Sequence, residues 1–371
     1  MKIASFNVEN LFSRVRAMNL DTWSEGKPIL EAYAKLNTLI QQPVYSPEDK
    51  QAIIAALKKL GLGGKDDGGP WAILRQNRGQ LVKRATGGVM EIVASGRGDW
   101  IGWVELKREA VNEAATRNVA RVISDIDADI VALIEAEDRV ALQRFNHDVL
   151  ATTTPASYDH IMLIDGNDER GIDVAIMTKA AYLIDGIRSH VDDGDGTSRI
   201  FSRDCAEYTI MLPGGGTLLL MVNHLKSKGY GGTIASNKRR KRQAARIAEI
   251  YNQRRAAGIE HIAIAGDLND TPESDPLSPL IQGTDLKDIS DSPAFQSDGH
   301  PGTYANGTKS QHIDYILLSP MLFAKVQSAG FFRKGVWGNK DGKRWPKYED
   351  TMTRPLHAAS DHAAIWAVLD L

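Results

Sequence analysis

Acidic, amide and imidazole residues stand at or just after the ends of several short apolar segments. They are Asn7 and Glu9, Glu135, Asn223 and His224, Asp267 and Asn269, Asp314, and Asp361 and His362. Strand ends on one edge of a sheet converge in space, so we expect these side chains to lie close together although they are far apart in sequence. Carboxylate and amide oxygens suit hard cations such as Mg²⁺ or Mn²⁺. The pattern predicts a metal site, but the spacing alone names no reaction.

Each of these residues also has a purely structural interpretation. Asp and Asn beside a strand commonly form turns, and a Glu at a strand end is usually solvated. His224 and His362 can be ordinary core or surface histidines. The recurrence of such residues at six places in one chain favours a shared site over six unrelated structural roles.

Other catalytic motifs do not fit this chain. The segment 63–66 lacks the spacing and the Ser or Thr of a phosphate-binding loop. Neither a G-x-S-x-G serine motif nor an H-E-x-x-H zinc motif occurs. The segment 192–196 resembles part of a calcium loop but lacks the bidentate Glu at the twelfth position. A single cysteine, Cys205, excludes both an internal disulfide and a thiolate zinc site.

Six segments, taken in order, resemble the motifs of the endonuclease/exonuclease/phosphatase superfamily. They are Ser5–Leu11, Ala128–Glu135, Asn223–Ser227, Gly266–Asp270, His312–Leu317 and Ser360–His362. Each segment alone is weakly specific, whereas the ordered set is highly specific. The third and fourth segments most resemble the bacterial nuclease-like branch, so the resemblance implies metal-dependent hydrolysis of phosphodiester bonds by an activated water.

The resemblance also implies which residues hold the metal. Glu135 corresponds to the principal ligand, and Asn7, Glu9 and Asp361 correspond to residues that assist directly or through water. The expected ion is Mg²⁺ or Mn²⁺, with Ca²⁺ as a further possibility.

The remaining motif positions correspond to groups that act on water and phosphate. By resemblance, Asp267 orients or deprotonates the attacking water, and Asn269 holds the water or the phosphate. His362 contacts the scissile phosphate while Asp314 accepts its other ring proton. His224 matches a second phosphate-contacting position.

The pattern of segments predicts an α/β or α+β layered sandwich, because strand-like segments alternate with helices through both hairpins and crossovers. Segments 208–212 and 217–222 flank a Pro-Gly-Gly-Gly turn and predict a hairpin, and apolar periodicity predicts helices over 109–126 and 237–257. The family resemblance implies a four-layer sandwich of two facing mixed β-sheets flanked by helices, with residues 1–371 forming one catalytic domain.

Residues 13–108 form a segment far longer than the minimal family pattern requires. The segment carries tryptophans, including Trp100 and Trp103, beside several arginines. We interpret it as an insertion or cap that folds against the catalytic end and narrows access to the metal. The alternative is a satellite subdomain or dimer contact with those tryptophans in its own core.

The favoured substrate is nucleic acid, cleaved by endonuclease or exonuclease action on DNA or RNA. The basic cluster at 238–246, with Arg239, Arg240 and Arg242, follows Asn223 and Lys226, and these five residues are the expected substrate contacts. Basic and aromatic residues also interleave over 331–347, where a solvated loop with buried aromatics is the other interpretation. The alternative functions are a phosphatase or phosphodiesterase of a small-molecule or lipid headgroup phosphate, and a catalytically inactive binding module. The last is disfavoured because every motif position carries a competent residue.

The start of the chain resembles a strand rather than a secretory leader, since polar residues interrupt its apolar run. No run reaches the roughly 18 apolar residues of a membrane span. We therefore expect a cytoplasmic protein. The net charge of −2 is uninformative about nucleic acid, and the oligomeric state stays open.

Overall fold

The structure is a computed structural model that describes residues 1–9, 11, 13–20, 23–85, 88–196, 198–228 and 232–371. Asn10, which belongs to the first family motif, lies outside the described residues. The chain divides into two compact units. The larger unit contains Met1–Phe12, Val111–Lys228 and Ile234–Leu371, and the smaller contains Ser13–Ala110 and Gly229–Thr233. Within the described residues, no helix is both long enough and apolar enough to cross a membrane.

The strands and helices have the following bounds. The strands are β1 (Lys2–Asn7), β2 (Ser13–Val15), β3 (Ala72–Arg78), β4 (Val82–Arg84), β5 (Met90–Ile92), β6 (Ile101–Leu106), β7 (Arg108–Ala110), β8 (Ile130–Ala136), β9 (His160–Leu163), β10 (Asp173–Thr178), β11 (Ile184–Arg188), β12 (Cys205–Met211), β13 (Thr217–His224), β14 (Ile262–Asp267), β15 (Lys287–Asp288), β16 (Phe295–Gln296), β17 (Asp314–Leu318), β18 (Val326–Phe332) and β19 (Ala364–Leu369). The helices are α1 (Trp23–Ile40), α2 (Pro47–Lys59), α3 (Glu113–Ile126), α4 (Arg139–Arg144), α5 (Ala151–Thr153), α6 (Thr233–Ala256), α7 (Ser278–Ile281) and α8 (Pro320–Phe323).

Two mixed sheets form the larger unit. One has the strand order β16-β18-β19-β1-β8-β10-β9, and the other has the order β11-β12-β13-β14-β17-β15. Apolar residues such as Ile134 and Val222 fill the space between the sheets. Helix α3 packs on the outer face of the first sheet through residues such as Val119, and α6 packs on the second through residues such as Ile247. The helix–sheet–sheet–helix arrangement confirms the predicted fold class.

The predicted hairpin and helices are present, with shifted ends. Strands β12 and β13 pair antiparallel from Cys205–Asn223 to Met211–Thr217. Helix α3 begins later than predicted, because residues 108–110 join β2 as strand β7 and Asn112 caps the helix through the Ala114 N–H, 2.9 Å from its Oδ1. Helix α6 begins four residues before its predicted start.

The strand register brings polar residues to one end of the space between the sheets. In the first sheet, Asn7 is the last residue of β1 and pairs with β8 one residue before Glu135. In the second sheet, His224 pairs with Asp267 across β13 and β14, and Asp267 pairs with Asp314 across β14 and β17. Alternation along a strand sets which face each side chain takes, so the pairing predicts a shared site at these strand ends.

The smaller unit spans nearly the same residues as the predicted insertion and has a hydrophobic core of its own. Helices α1 and α2 pack with the two-stranded ladders β3–β6 and β4–β5. Trp100 is 2% exposed, and its Nε1 donates to the Tyr45 hydroxyl at 3.1 Å. Trp103 is 44% exposed. Trp100 therefore fills a core, as in the alternative interpretation of this segment, whereas the role of the unit as a cap stays a prediction.

Candidate active site

A cluster of amide and carboxylate groups lies where β1, β8 and β14 end. Asn7 is 1% exposed, and its Nδ2 lies 3.4 Å from Glu135 Oε1 and 3.3 Å from Asp267 Oδ2. The Glu9 N–H donates to Asn7 Oδ1 at 3.0 Å, and the Asp361 N–H donates to Glu9 Oε2 at 3.1 Å. All four residues assigned to the metal by resemblance, together with Asp267, thus belong to one hydrogen-bonded network.

Three residues of this region have left-handed backbone conformations. Their φ values are 51° for Glu9, 71° for Glu135 and 57° for Asn269. Such a conformation costs on the order of 1 kcal/mol or more for a residue with a Cβ and persists only where the surroundings hold it. Backbone hydrogen bonds do so on both sides of the first turn, since Val8 N donates to Ile134 O at 2.9 Å and Leu11 N to Glu135 O at 3.2 Å. The clustering of these conformations is typical of a functional site.

The imidazole of His362 is held by a buried carboxylate. Its Nδ1 lies 2.9 Å from Asp314 Oδ2, and Asp314 Oδ2 also accepts from the Thr303 hydroxyl at 2.6 Å. Burial opposes the charged ring, but Asp314 and Asp361 outweigh burial and raise the pKa of His362 well above its usual value. The structure therefore gives His362 the character of an imidazolium, with Nε2 3.6 Å from Asp361 Oδ1. A cationic donor of this kind suits a phosphate oxygen.

The carboxyl group of Asp267 is shifted toward its neutral form, whereas the ring of His362 is shifted toward its charged form. Burial and then the neighbouring Asp314 raise the pKa of Asp267 to about 8, although His362 and the Asn269 N–H, 2.8 Å from Asp267 Oδ1, oppose the shift. Burial and the neighbouring carboxylate thus disfavour the charged form of Asp267, and a nearby divalent cation would offset that cost. One triad of possible ligands consists of Asp267, Asp314 and His362, whose ligand atoms lie within 4.8 Å of one another. Because Asp314 already accepts from Thr303 and His362, the carboxylate of Glu135, which lies beside Asn7, fits a hard cation better.

His224 lies on the other side of these carboxylates. Its Nε2 is 3.6 Å from Asp267 Oδ2 and 3.8 Å from Glu135 Oε1. Burial, and then the positive charges of Arg203 and Arg170, lower its pKa well below the usual value. His224 is therefore a neutral imidazole near the site, in contrast to His362.

Tyr304 and Thr303 belong to the site although the sequence analysis did not select them. The Tyr304 ring centroid lies 4.9 Å from that of His362, and the two residues form a β-bridge. The negative charge of Asp361, and then burial, raise the pKa of the Tyr304 hydroxyl, which hydrogen-bonds Asp361. Both residues lie in an irregular segment, so a search of strand ends does not find them.

Asn223 is a correction to the expected substrate contacts. It is fully buried, and its Nδ2 donates to Met221 O at 3.3 Å. Adjacent residues of a strand face opposite sides of a sheet, so His224 lies on the face of β13 toward the other sheet and Asn223 on the face toward α6. Lys226, by contrast, is half-buried just beyond the strand end.

Arg240 is a second correction, and it changes the interpretation of the basic cluster. Its side chain is fully buried; Nε donates to Asp270 Oδ2 at 2.9 Å and Nη1 to Lys226 O at 2.6 Å. Arg242 is half-buried and binds Asp195 at 2.5 Å. Arg239 is also half-buried, with Nη2 3.4 Å from a backbone carbonyl. These arginines have partners within the protein, so a role in substrate binding has less support than the sequence indicated.

We expect Arg240→Ala to lower the free energy of unfolding by about 3 kcal/mol, because removing one partner of a buried ion pair leaves the other poorly compensated. Lys228 still contacts Asp270 at 2.5 Å, which limits the loss. The matched control is Lys241→Ala on the same helix, whose exposed pair with Asp275 contributes less than about 1 kcal/mol. Denaturant unfolding measures both values. Equal losses, with a raised KM for Arg240→Ala, would restore the substrate-binding interpretation.

In the segment 331–347, the structure supports the interpretation in which the aromatic residues are buried. Arg333 is 6% exposed and lies between two aromatic rings, with its guanidinium carbon 4.4 Å from the Trp345 ring centroid and 5.2 Å from that of Phe331. It also pairs with Asp298. Trp345 is itself buried, and Phe331 belongs to β18 and packs against the core between the sheets, so the two rings that flank Arg333 are packed within the protein rather than available to bases.

Comparison with known proteins gives one family and several distant structural likenesses. The model of a family described as Endonuclease/Exonuclease/phosphatase matches residues 103–370. No curated protein matches the chain. A mannosyl-6-phosphatase of Bacteroides thetaiotaomicron is 15% identical over 69% of this chain and 91% of its own, with a TM-score of 0.48. Truncated Caenorhabditis elegans TDP2 is 17% identical over 68% of this chain and 88% of its own, with a TM-score of 0.46. Staphylococcus aureus beta toxin is 19% identical over 70% of this chain and 94% of its own, with a TM-score of 0.48. Likenesses this distant do not specify a substrate.

Proposed function

Because the chain belongs to the Endonuclease/Exonuclease/phosphatase family, whose members hydrolyse phosphate esters, we propose that it is a metal-dependent phosphodiesterase. The activity that we favour is that of a nuclease acting on DNA or RNA. The observation that carries this proposal is the pairing of two unlike groups in one site. The buried imidazolium of His362, fixed by Asp314, lies beside the carboxylate and amide cluster around Asn7. The first suits the oxygens of a phosphate, and the second suits a cation.

Phosphodiesters resist hydrolysis because their negative charge repels a nucleophile. When bound, a divalent cation on Glu135, with Asn7, Glu9 and Asp361 assisting, would neutralise charge on the phosphate and polarise it. His362 donates a charged hydrogen bond to a non-bridging oxygen, where charge grows in the transition state. Asp314 holds the ring so that Nδ1 carries a proton and Nε2 faces the substrate.

Asp267 is our proposed base. Its carboxylate accepts a proton from the attacking water, and the Asn269 N–H at 2.8 Å keeps Oδ1 in place. The neutral ring of His224 lies 3.6 Å from the other Asp267 oxygen and provides a second contact for phosphate or water. Water attacks phosphorus directly while the bond from phosphorus to one ester oxygen breaks, and that oxygen leaves and takes up a proton from solvent. The reaction therefore requires no covalent intermediate with the protein.

The second candidate is a phosphatase or phosphodiesterase of a small phosphorylated molecule. The internal partners of Arg240 and Arg242 favour it, because they remove positive charge from the surface that a long polynucleotide would use. We keep the nuclease first because Lys226, half-buried just beyond the end of β13, adds a cationic side chain beside the site.

The decisive experiment compares p-nitrophenyl phosphate, bis(p-nitrophenyl) phosphate, single- and double-stranded DNA, and RNA, each with EDTA, Mg²⁺, Mn²⁺ or Ca²⁺. We expect turnover of the diester and of at least one polynucleotide, abolished by EDTA and restored by Mg²⁺ or Mn²⁺. Turnover of the monoester without the diester favours the second candidate. Absence of metal-dependent turnover on every substrate contradicts both.

A further inference from the structure

The ladder of β3 and β6 in the smaller unit has one buried face and one exposed face. Side chains alternate between the two faces of a strand, and Leu74 and Val104 belong to the buried core of the unit. Trp103 directly precedes Val104 and is 44% exposed, and Ile101 on the same strand is 45% exposed. Large apolar side chains that share an exposed face typically mark a site of interaction.

Two arginines lie on the same exposed face. In the register of the ladder, Arg75 is opposite Trp103, and Arg78 is opposite Ile101. Both arginines are exposed. Arg75 Nε donates to Glu105 Oε2 at 2.9 Å, whereas Arg78 forms no ion pair among the residues that the structure describes. The face thus combines an indole ring with two guanidinium groups and one carboxylate.

Glu105 holds the indole of Trp103 in place. Trp103 Nε1 donates to Glu105 Oε1 at 3.1 Å, while the other oxygen of the carboxylate accepts from Arg75. The ring is therefore restrained before any ligand binds, so binding costs less conformational entropy than it would with a free side chain. A restrained aromatic ring on an exposed sheet face suits the stacking of unpaired nucleic acid bases.

The charge of the smaller unit fits a polyanion. Residues 13–110 contain 15 Lys and Arg against 11 Asp and Glu, which gives a net charge of +4, whereas the whole chain has a net charge of −2. The rest of the chain therefore carries −6, and Arg240 and Arg242 on α6 of the larger unit already pair with carboxylates. A polynucleotide gains affinity when protein cations replace its counterions. By charge, the smaller unit is better suited than the larger one to hold a nucleic acid strand.

We propose that the exposed face of β3 and β6 binds a single-stranded segment of the nucleic acid substrate, with a base stacked on Trp103 and a phosphate bound by Arg78. Unpaired bases are required, because the bases of a duplex are already stacked on one another. Every base has a π-face, so we expect little sequence preference. The inference rests on the proposed function, since it takes nucleic acid as the substrate and adds that the strand is unpaired where it contacts this face.

The test is the binding of a fluorescein-labelled thymidine oligonucleotide, alone and paired with its complement, to the full chain in EDTA. Fluorescence anisotropy at several salt concentrations gives the affinities. Wild type should prefer the single strand. Trp103→Ser should weaken single-strand binding by about 10-fold or more, the contribution of one stacked base, and Trp103→Phe should retain most of the affinity.

The salt dependence separates the phosphate contact from the stacked base. Arg78→Gln should make the slope of log affinity against log salt concentration shallower by about 0.7, the value for one phosphate contact on a single strand, whereas Trp103→Ser should leave that slope unchanged. Lys59→Gln is the matched control, because it removes one exposed cation from α2 of the same unit. It should keep the affinity and the slope of wild type.

Three results overturn the proposed face. These are equal affinity of wild type for the single strand and the duplex, unchanged binding by Trp103→Ser, and equal losses in Arg78→Gln and Lys59→Gln. Self-association that Trp103→Ser abolishes without altering oligonucleotide binding would assign the face to a second copy of this chain instead. Arg78→Gln decides the question if Trp103→Ser does not fold.

The binding test is independent of turnover. Hydrolysis of bis(p-nitrophenyl) phosphate requires no strand binding, so a chain that turns over this diester but fails the binding test loses the proposed face alone. A chain that binds the single strand through Trp103 and shows no metal-dependent turnover loses the proposed function alone.

Discussion

Replacing Glu135 with glutamine is expected to lower metal-dependent turnover by at least ~1000-fold, because a bound cation contributes several kcal/mol to the transition state and each 1.4 kcal/mol is a factor of ten. The amide keeps the size of the side chain and the left-handed turn, but it removes the charge that we assign to the metal. Since Glu135 is 14% exposed at its side chain, the fold should tolerate the change. Steady-state kinetics on bis(p-nitrophenyl) phosphate at several Mg²⁺ and Mn²⁺ concentrations measures the effect.

Glu249→Gln is the matched control, since this exposed glutamate on α6 pairs only with surface charge at Arg246 in the contacts described. It should retain wild-type turnover. Circular dichroism and the unfolding midpoint verify that Glu135→Gln is folded. Near-wild-type turnover of the folded Glu135→Gln protein at saturating metal would remove Glu135 from the role that we propose.

The second large effect is expected at His362. His362→Ala should lower kcat/KM by about 1000-fold, the middle of the range for a group that acts on charge or protons in the transition state. Asp314→Asn should cost less, about 10- to 100-fold on the same scale, because Asp314 acts through the histidine. Its amide oxygen can still accept from the Thr303 hydroxyl, which lies 2.6 Å from Asp314 Oδ2.

The pH profile distinguishes this role of Asp314 from simple support of the fold. Burial lowers the pKa of His362, and Asp314 is the first of the charges that raise it. Activity that needs the imidazolium is present below the raised pKa and is lost as the pH rises through it. Asp314→Asn removes the largest opposing charge, so its alkaline loss of kcat/KM should begin at lower pH than in wild type. The control is His147→Ala, because the side chain of His147 is 88% exposed. An Asp314→Asn profile without the shift to lower pH contradicts the role assigned to Asp314.

The site residues at strand ends could be predicted from the sequence, because the hydrophobic pattern identifies the strands and the strand register brings their ends together. Asn7, His224 and Asp267 illustrate this, since each is the last residue of a strand. Tyr304 and Thr303 could not be predicted in this way, because they lie in an irregular segment whose path depends on tertiary contacts. No periodicity marks such residues.

The periodicity of the strand and of the helix already indicated that Asn223 and Arg240 face away from the substrate, but the sequence analysis weighed their polarity and charge instead. Asn223 and His224 are neighbours in one strand, and the period of two forbids both from facing the same side. Arg240 stands three, four and seven residues before Gln243, Ala244 and Ile247, all buried on one stripe of α6. Helical spacing therefore placed this arginine on the inner face, and its charge required the partner that Asp270 supplies.

The place of β1 in its sheet has a consequence for biosynthesis. The first strand of the chain lies in the middle of the seven-stranded sheet, between β8 and β19, the last strand. A nascent chain on the ribosome can form the β1–β8 pairing once β8 has emerged, but the other edge of β1 stays unpaired until β19 has emerged. Asp361 and His362 directly precede β19. Emergence of β19 therefore couples closure of the sheet to completion of the proposed site, and chains truncated before β19 expose an open strand edge of the kind that promotes aggregation.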